Sequence, residues 1–179
     1  MNIRPAMIAD AREIAKVHVK SWQTTYRGIV SEDYLTSLNP EESAARWEKH
    51  LRSDSVTYVA ETPEKKIAGF ICGGKIRSQQ PVQTGEVYAL YLLQEVQRQQ
   101  LGTRLMRQLA ESLQKQGCNS LVVYVIKDNP ARRFYEKLGA IPVNSETSWI
   151  GDQEVEEIRY EWVSLDSLLK KAEQSTTHQ

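Results

Sequence analysis

The chain has little of several things, and each shortage removes a class of function. It has two cysteines, Cys72 and Cys118. Neither belongs to a CxxC pair or a Cys/His cluster, so a zinc ribbon or a dithiol redox motif is excluded, and two buried thiols in a reducing compartment are expected. The three histidines, His18, His50 and His178, form no spacing set for a metal. No apolar run approaches the ~18–20 residues that a membrane-spanning helix needs. The opening MNIRPAMIAD carries charges and no apolar core of a signal peptide. Net charge is also missing, since 23 basic residues balance 23 acidic ones. A nucleic-acid or anionic-membrane partner wants a basic excess or patch, so neither is expected. There is no GxxxxGK[ST], no GxGxxG, no Ser/His/Asp or Cys/His arrangement and no internal repeat. The expectation is a cytoplasmic protein without a metal.

What is present fits one globular unit. With 179 residues, 40% hydrophobic and 26% charged, the chain is long enough to bury a core without disulfide staples. A single domain over residues 1–165 is expected, followed by a helical or flexible tail over 166–179 that is polar from Lys170 and frays. Asn2 to Arg4 starts a strand that Pro5 ends. A helix then runs from Asp10 to about Thr25, with Ile14, Val17, Val19 and Trp22 on its apolar side and Gly28 as its stop. Ser31 caps a short helix to Leu38, and Pro40 opens another. Val56 to Ala60 and Lys66 to Lys75 read as a hairpin. Gly85 to Leu93 is a third strand, and Arg98 to Gln116 a strong helix with Leu101, Leu105, Leu109 and Leu113 on one face. Leu121 to Ile126 is a continuous apolar run, as in a strand covered on both faces. A short helix from Ala131 to Leu138 and two strands, Ile141 to Trp149 and Val155 to Val163, complete the chain. This order implies an α/β (α+β) fold, a mixed sheet with helices on its faces. The unit from Gly85 to Ile126 must be parallel, because its helix carries the chain back across the sheet.

The junction between the third strand and its helix carries the chemistry. The first N–H groups of a helix lack intrahelical partners and lie at the positive end of its dipole, so a pyrophosphate fits there. Gly102 offers close approach to the backbone, Thr103 a hydroxyl, and Arg98 and Arg104 positive charge. The same features suit an ordinary strand-to-helix turn whose glycine serves packing.

The string Gln97-Arg98-Gln99-Gln100-Leu101-Gly102 resembles the acetyl-CoA motif of the GNAT superfamily of N-acetyltransferases, (Gln/Arg)-x-x-Gly-x-(Gly/Ala). Gln97 and Gly102 match, and Gln100 stands where the family has its first glycine. A second string, Asp128 to Ala140, resembles the family's Asn-x-x-Ala-x-x-x-Tyr-x-x-x-Gly-Phe. Ala131, Tyr135 and Gly139 fall in register; Asp128 takes the Asn position, with Asn129 one residue late and Ala140 in place of Phe. A third, His18 to Gly28, resembles the first helix of a branch in which this helix lines the acceptor side. Two separated motifs in the right order make the resemblance specific. It implies a mostly antiparallel sheet of about seven strands with the parallel unit at its centre.

It also implies direct acetyl transfer from acetyl-CoA to a primary amine of a small molecule or protein. Gln97 to Thr103, including Arg98, Gln99, Gln100 and Leu101, would hold the pyrophosphate. Leu90, Tyr91 and Leu92 would pair with pantetheine as an added strand, beside a bulge near Leu92 that supplies an oxyanion donor. Asp128 or Asn129 would contact the pantetheine arm. Tyr135 matches the general acid for the leaving thiolate. Glu86 is the candidate base, or else a solvated strand-edge carboxylate; Glu32 and Asp33 stay open. Trp22 and Tyr26, four apart on one helical face, are acceptor contacts or core aromatics. A CoA-binding module without catalysis is the alternative, and a homodimer is compatible.

Overall fold

The computed structural model describes residues 1–77 and 83–177; His178 lies outside them. Its seven strands form one sheet in the order β1-β2-β3-β4-β5-β7-β6. They are β1 (Asn2–Pro5), β2 (Val56–Glu61), β3 (Ile67–Lys75), β4 (Thr84–Leu92), β5 (Ser120–Ile126), β6 (Ile141–Ile150) and β7 (Gln153–Trp162). Only β4 and β5 are parallel; the remaining neighbours are antiparallel. The mixed sheet expected from the element order is therefore present, mostly antiparallel as the resemblance implies, with its parallel pair joined by α4 (Leu101–Lys115). The closing hairpin enters in reverse order: β7 lies against β5, and β6 is left at the edge.

Two layers of helices cover the sheet. On one face α4 lays down its leucine stripe, with Leu105, Leu109 and Leu113 wholly buried and Leu101 nearly so. Val87, Leu121, Val123, Tyr160 and Trp162 receive it from the strands. Gly117, at a φ of +91°, ends the helix in the left-handed turn that glycine adopts without strain. The segment from Lys170, expected to fray, instead belongs to α6 (Leu165–Thr177). Leu165, Leu168 and Ala172 of α6 are buried in contact with the α4 side of the core, because an apolar residue recurs on one side of an otherwise polar helix.

On the other face lie α1 (Ala11–Thr25) and α3 (Pro40–Leu51), with α2 (Glu32–Ser37) between them in sequence. Ile14, Ala15, Val17, Ala44 and Trp47 pack on Val59, Phe70 and Cys72. The start of α1 is tied to the sheet by Arg4 of β1. Its guanidinium donates to both Asp10 oxygens, at 2.7 and 3.0 Å, and to Glu61 of β2 at 2.9 and 3.0 Å. Burial alone would lift the Asp10 carboxyl, but Arg4 and the Met7 N–H hold it below the usual carboxylate range. Both cysteines are buried and unpaired, and burial pushes the Cys72 thiol up to about 12.

The α4 stripe lies within the larger buried cluster of the core. Leu109→Ala is expected to lower the unfolding free energy by about 2–5 kcal/mol, the range for a leucine cut back in a closed core. Denaturant titration followed by circular dichroism measures it, and a loss below 1 kcal/mol would contradict this account of the core.

Candidate active site

The site begins where two strands part. The β4–β5 ladder runs only from Thr84 and Ser120 to Val87 and Val123. Beyond it β5 continues with β7 to Ile126 opposite Glu157, while β4 continues with β3 to Leu92 opposite Gly69. The edge of β4 from Tyr88 to Leu92 that faced β5 is thus left without a strand. Backbone groups there need partners, and an extended ligand supplies them as an added strand does.

A bulge causes the parting. Cys72 pairs with Ala89 and Gly73 with Val87, so Tyr88 is the extra residue in β4. The expected bulge near Leu92 therefore lies earlier, at Tyr88. Glycines fix it there. A Cβ on Gly73 would stand 2.5 Å from the Glu86 carbonyl oxygen, and one on Gly74 would stand 2.7 Å from the Tyr88 hydroxyl. Gly73 is the one that must lack a side chain for β3 to approach the β4 backbone this closely, since at Gly74 only the tip of a side chain would have to shift.

After β4 the chain makes a short 3-10 turn at Gln94–Val96 and then a tight turn into α4. The helix starts at Leu101, later than the Arg98 start read from the sequence. Arg98 and Gln100 both adopt left-handed φ, +59° each, which breaks helical continuation before Leu101. Gln100 thus takes the conformation that the glycine of the motif favours. The N–H groups of Leu101, Gly102 and Thr103 point out of the first turn without intrahelical partners. The Gln97 side chain donates to the Leu92 carbonyl at 3.1 Å and ties the turn to the strand. Gly102 has a packing reason as well: a Cβ there would meet the Phe134 ring at 3.2 Å. Arg104 turns toward the chain's start, donating to the Met1 carbonyl at 3.3 Å, whereas Arg98 remains exposed beside the turn.

A knot of phenols closes the far end of the cleft. Tyr135, on α5 (Arg132–Lys137), is buried, as is Tyr26 at the end of α1. Burial first, then Tyr26, pushes the Tyr135 phenol far above its ordinary value, so it stays protonated. Burial, then the Tyr26 hydroxyl, raises Tyr91 in the same way. Asn129 is buried and fully engaged: its Nδ2 donates to the Tyr26 hydroxyl at 3.3 Å, and its Oδ1 accepts the Ala131 N–H at 2.9 Å. Asp128 is exposed. The amide in this position thus belongs to Asn129.

On the α1 and α3 side a cavity of about 1010 Å³ opens against β3 and β4, walled by Trp22, Trp47, Tyr88, Tyr91, His18 and His50. Trp22 and Tyr26 do share a face, with ring centroids 4.6 Å apart; Trp22 lines the cavity, and Tyr26 joins the phenols. Glu32 and Asp33 are exposed in the first turn of α2 and do not line it. Glu86 is 2% exposed, so it is no solvated edge carboxylate. Its Oε2 accepts the Arg77 backbone N–H at 3.0 Å; its Oε1 accepts Arg77 Nε at 3.0 Å and Arg77 Nη2.

Three residues not singled out in the sequence take part in this site. His18 sits among Trp22, Trp47, Phe70 and Tyr91, and its Nδ1 accepts from Trp47 Nε1 at 3.3 Å. Its spacing of four from Trp22, continued at Tyr26, was a legible stripe. Arg77 and Glu157 carried no such signal. Glu157, opposite Ile126, is pushed above the ordinary carboxylate range by burial first and then by Glu146 and Glu86, with Ser148 opposing.

Two outcomes follow from this geometry. Burial, then Arg46, lowers His18 from 6.5 to about 4. The stability this lends is complete above the unfolded value near 6.5 and is lost as pH falls toward 4. About 2 kcal/mol should disappear between pH 7 and pH 5 through His18; denaturant titrations at the two pH values should show a smaller loss for His18→Gln, with the half-buried His50, also lowered by burial and then Arg77, keeping its own share. Gln100→Gly should relieve the left-handed strain, raising stability by up to about 1 kcal/mol despite glycine's entropy; a loss of stability would mean that the Gln100 side chain supports the turn.

Comparison with known proteins agrees with this architecture. Residues 19–140 match the model of the acetyltransferase (GNAT) family. The uncharacterized N-acetyltransferase YuaI of Bacillus subtilis (strain 168) is 39% identical over 168 residues, covering 94% of this chain and 96% of that protein. Spermidine N(1)-acetyltransferase of Thermoplasma acidophilum is 27% identical over 145 residues, covering 78% and 87%. Among solved structures, the PaiA N-acetyltransferase of Thermoplasma acidophilum in complex with coenzyme A superposes with a TM-score of 0.69 at 24% identity, over 90% of this chain and 98% of that one. YncA of Salmonella typhimurium with its cofactor acetyl-CoA gives 0.71 at 20%, over 93% and 94%. With the family model covering most of the chain and a relative matching nearly all of it, the protein belongs to the GNAT family of acetyltransferases.

Proposed function

We propose that the chain is an acetyl-CoA-dependent N-acetyltransferase that passes the acetyl group directly to a primary amine in a ternary complex. One observation carries the reading: β4 has an edge without a strand from Tyr88 to Leu92, just before the helix-start turn at Gln97–Thr103, and Tyr91 on that stretch is close enough to Tyr135 to feel its charge. Two structural neighbours, solved with coenzyme A and with acetyl-CoA, support the ligand. The pyrophosphate rests on the N–H groups of Leu101, Gly102 and Thr103, with Gln97, Arg98, Gln99 and Gln100 shaping the turn. Pantetheine fills the strand position beside Leu90, Tyr91 and Leu92, with Asn129 and Asp128 at its far side.

The amine enters from the cavity of Trp22 and Tyr91. Its nitrogen attacks the thioester carbonyl carbon; the C–N bond forms, the C–S bond breaks, and the sulfur leaves as thiolate. An alkyl ammonium of pKa ~10 must first lose a proton. Glu86 is saturated by Arg77 donors, so in this reading it holds Arg77. Glu157, lifted toward neutrality and within electrostatic reach of Arg77 and Glu86, takes the proton through water. As the C–N bond forms the nitrogen sheds its second proton, and Tyr135 relays one to the developing thiolate, giving up its hydroxyl proton as it takes that one, so the phenol ends protonated. Because its phenol is raised, it is a steady hydrogen-bond donor. Much of the acceleration comes from holding amine and thioester together.

Tyr135→Phe is expected to lower kcat by about 10²-fold, the lower end for a lost acid, with the KM for acetyl-CoA nearly unchanged, in assays of thiol release. Because Tyr135 is raised, wild-type kcat should climb with pH and show no alkaline fall below about pH 10. An unchanged kcat in the variant would remove the acid from the mechanism. Coenzyme A binding without turnover on any amine would make the protein a CoA-binding module instead.

A further inference from the structure

The acceptor cavity has a fixed guanidinium at its mouth. Arg77 is held through its backbone N–H, Nε and Nη2 by the buried Glu86, and its guanidinium lies 4.4 Å from the Tyr88 ring centroid. Its side chain is nevertheless 65% exposed, and its Nη1 makes no hydrogen bond among the described residues. A carboxylate that freezes an arginine by one edge leaves the other edge aimed and unspent.

Charge and donors around the cavity agree. Lys75 lines it and makes no ion pair among the described residues, while Asp54 is its only lining carboxylate among them. Arg46 is close enough to depress His18. His18 accepts at Nδ1 from Trp47, so its neutral ring carries hydrogen on Nε2. The cavity therefore offers spare donors and cations, set between the faces of Trp22, Trp47, Tyr88 and Tyr91.

We propose that the acceptor is an amine that also carries a carboxylate, of the amino-acid class with an apolar side chain, and that Arg77 anchors its carboxylate. This rests on the N-acetyltransferase reading. The side chain lies among the aromatic rings, and the amine is left to face the β4 bulge. A polyamine has no anion to offer the free edge of Arg77, whose own charge Glu86 already balances, so that edge gives it no anchor. The cations also attract an anionic acceptor.

The test compares L-leucine and L-phenylalanine with their C-terminal amides and with spermidine, using the full chain and acetyl-CoA and measuring thiol release. The amino acids should exceed their amides at least tenfold in kcat/KM, mostly through KM, and should exceed spermidine by more. Arg77→Met should erase the advantage of acid over amide. Lys75→Met, at an exposed strand end, should reduce it severalfold and serves if Arg77→Met fails to fold. Equal rates on acid and amide, or a preference for spermidine, would overturn the proposal while leaving acetyl transfer intact. If no amine releases thiol, the same ligands are titrated against the CoA-loaded protein by tryptophan fluorescence. Tighter binding of acid than amide then upholds the carboxylate anchor while the catalytic reading falls, and equal binding overturns both.

Discussion

Strand β4 serves two neighbours and cannot satisfy both along its whole length. It holds β3 to Leu92 but releases β5 after Val87. The extra residue at Tyr88 bends it, and Gly73 and Gly74 give the bend room. Hydrogen-bonding capacity that the sheet would otherwise consume is left open along the half-buried stretch from Tyr88 to Leu92, where backbone groups need partners. The helix start, the phenols and the aromatic cavity all gain their relevance by surrounding that gap.

The two faces of the sheet divide the work. The α4 face is the closely packed one, with the four leucines of α4 in one buried cluster and the helix lying over β2, β3 and β4, and it holds the turn whose N–H groups point at the cleft. The opposite face is less completely filled. There α1, anchored by Arg4 to Asp10 and Glu61, presents His18, Trp22 and Tyr26 along one stripe. The first two border a cavity, and the third hydrogen-bonds the Asn129 that opens the path to α5. A single helix thereby links the acceptor side to the cofactor side.

Electrostatics in the site is arranged by burial rather than by net charge, which is zero. Desolvation keeps the phenols of Tyr91 and Tyr135 protonated and His18 neutral. The one deeply buried carboxylate on β4, Glu86, is matched by three donors of a single arginine. Removing that arginine would strand a buried charge, which is why the pair behaves as one unit.

Local pattern determined much of this protein by itself. The leucine stripe, the capping serine at Ser31, the glycine stops and the apolar run of β5 each depend on neighbours within a turn or two, so strands and helices were legible to within a few residues, as was the Gln97–Gly102 turn. Tyr135 and Gly139 were legible by their register with each other. Tertiary structure alone decided the rest, because it depends on partners far apart in the chain. The bulge sits at Tyr88 because of glycines on another strand. Glu86 is buried because Arg77, beyond the hairpin connection, reaches back to it. α6 is ordered because α4 offers it a surface. Gln100 shows the limit most plainly: sequence could say only that a glycine was missing, whereas the folded turn, set between β4 and α4, shows glutamine in the left-handed conformation.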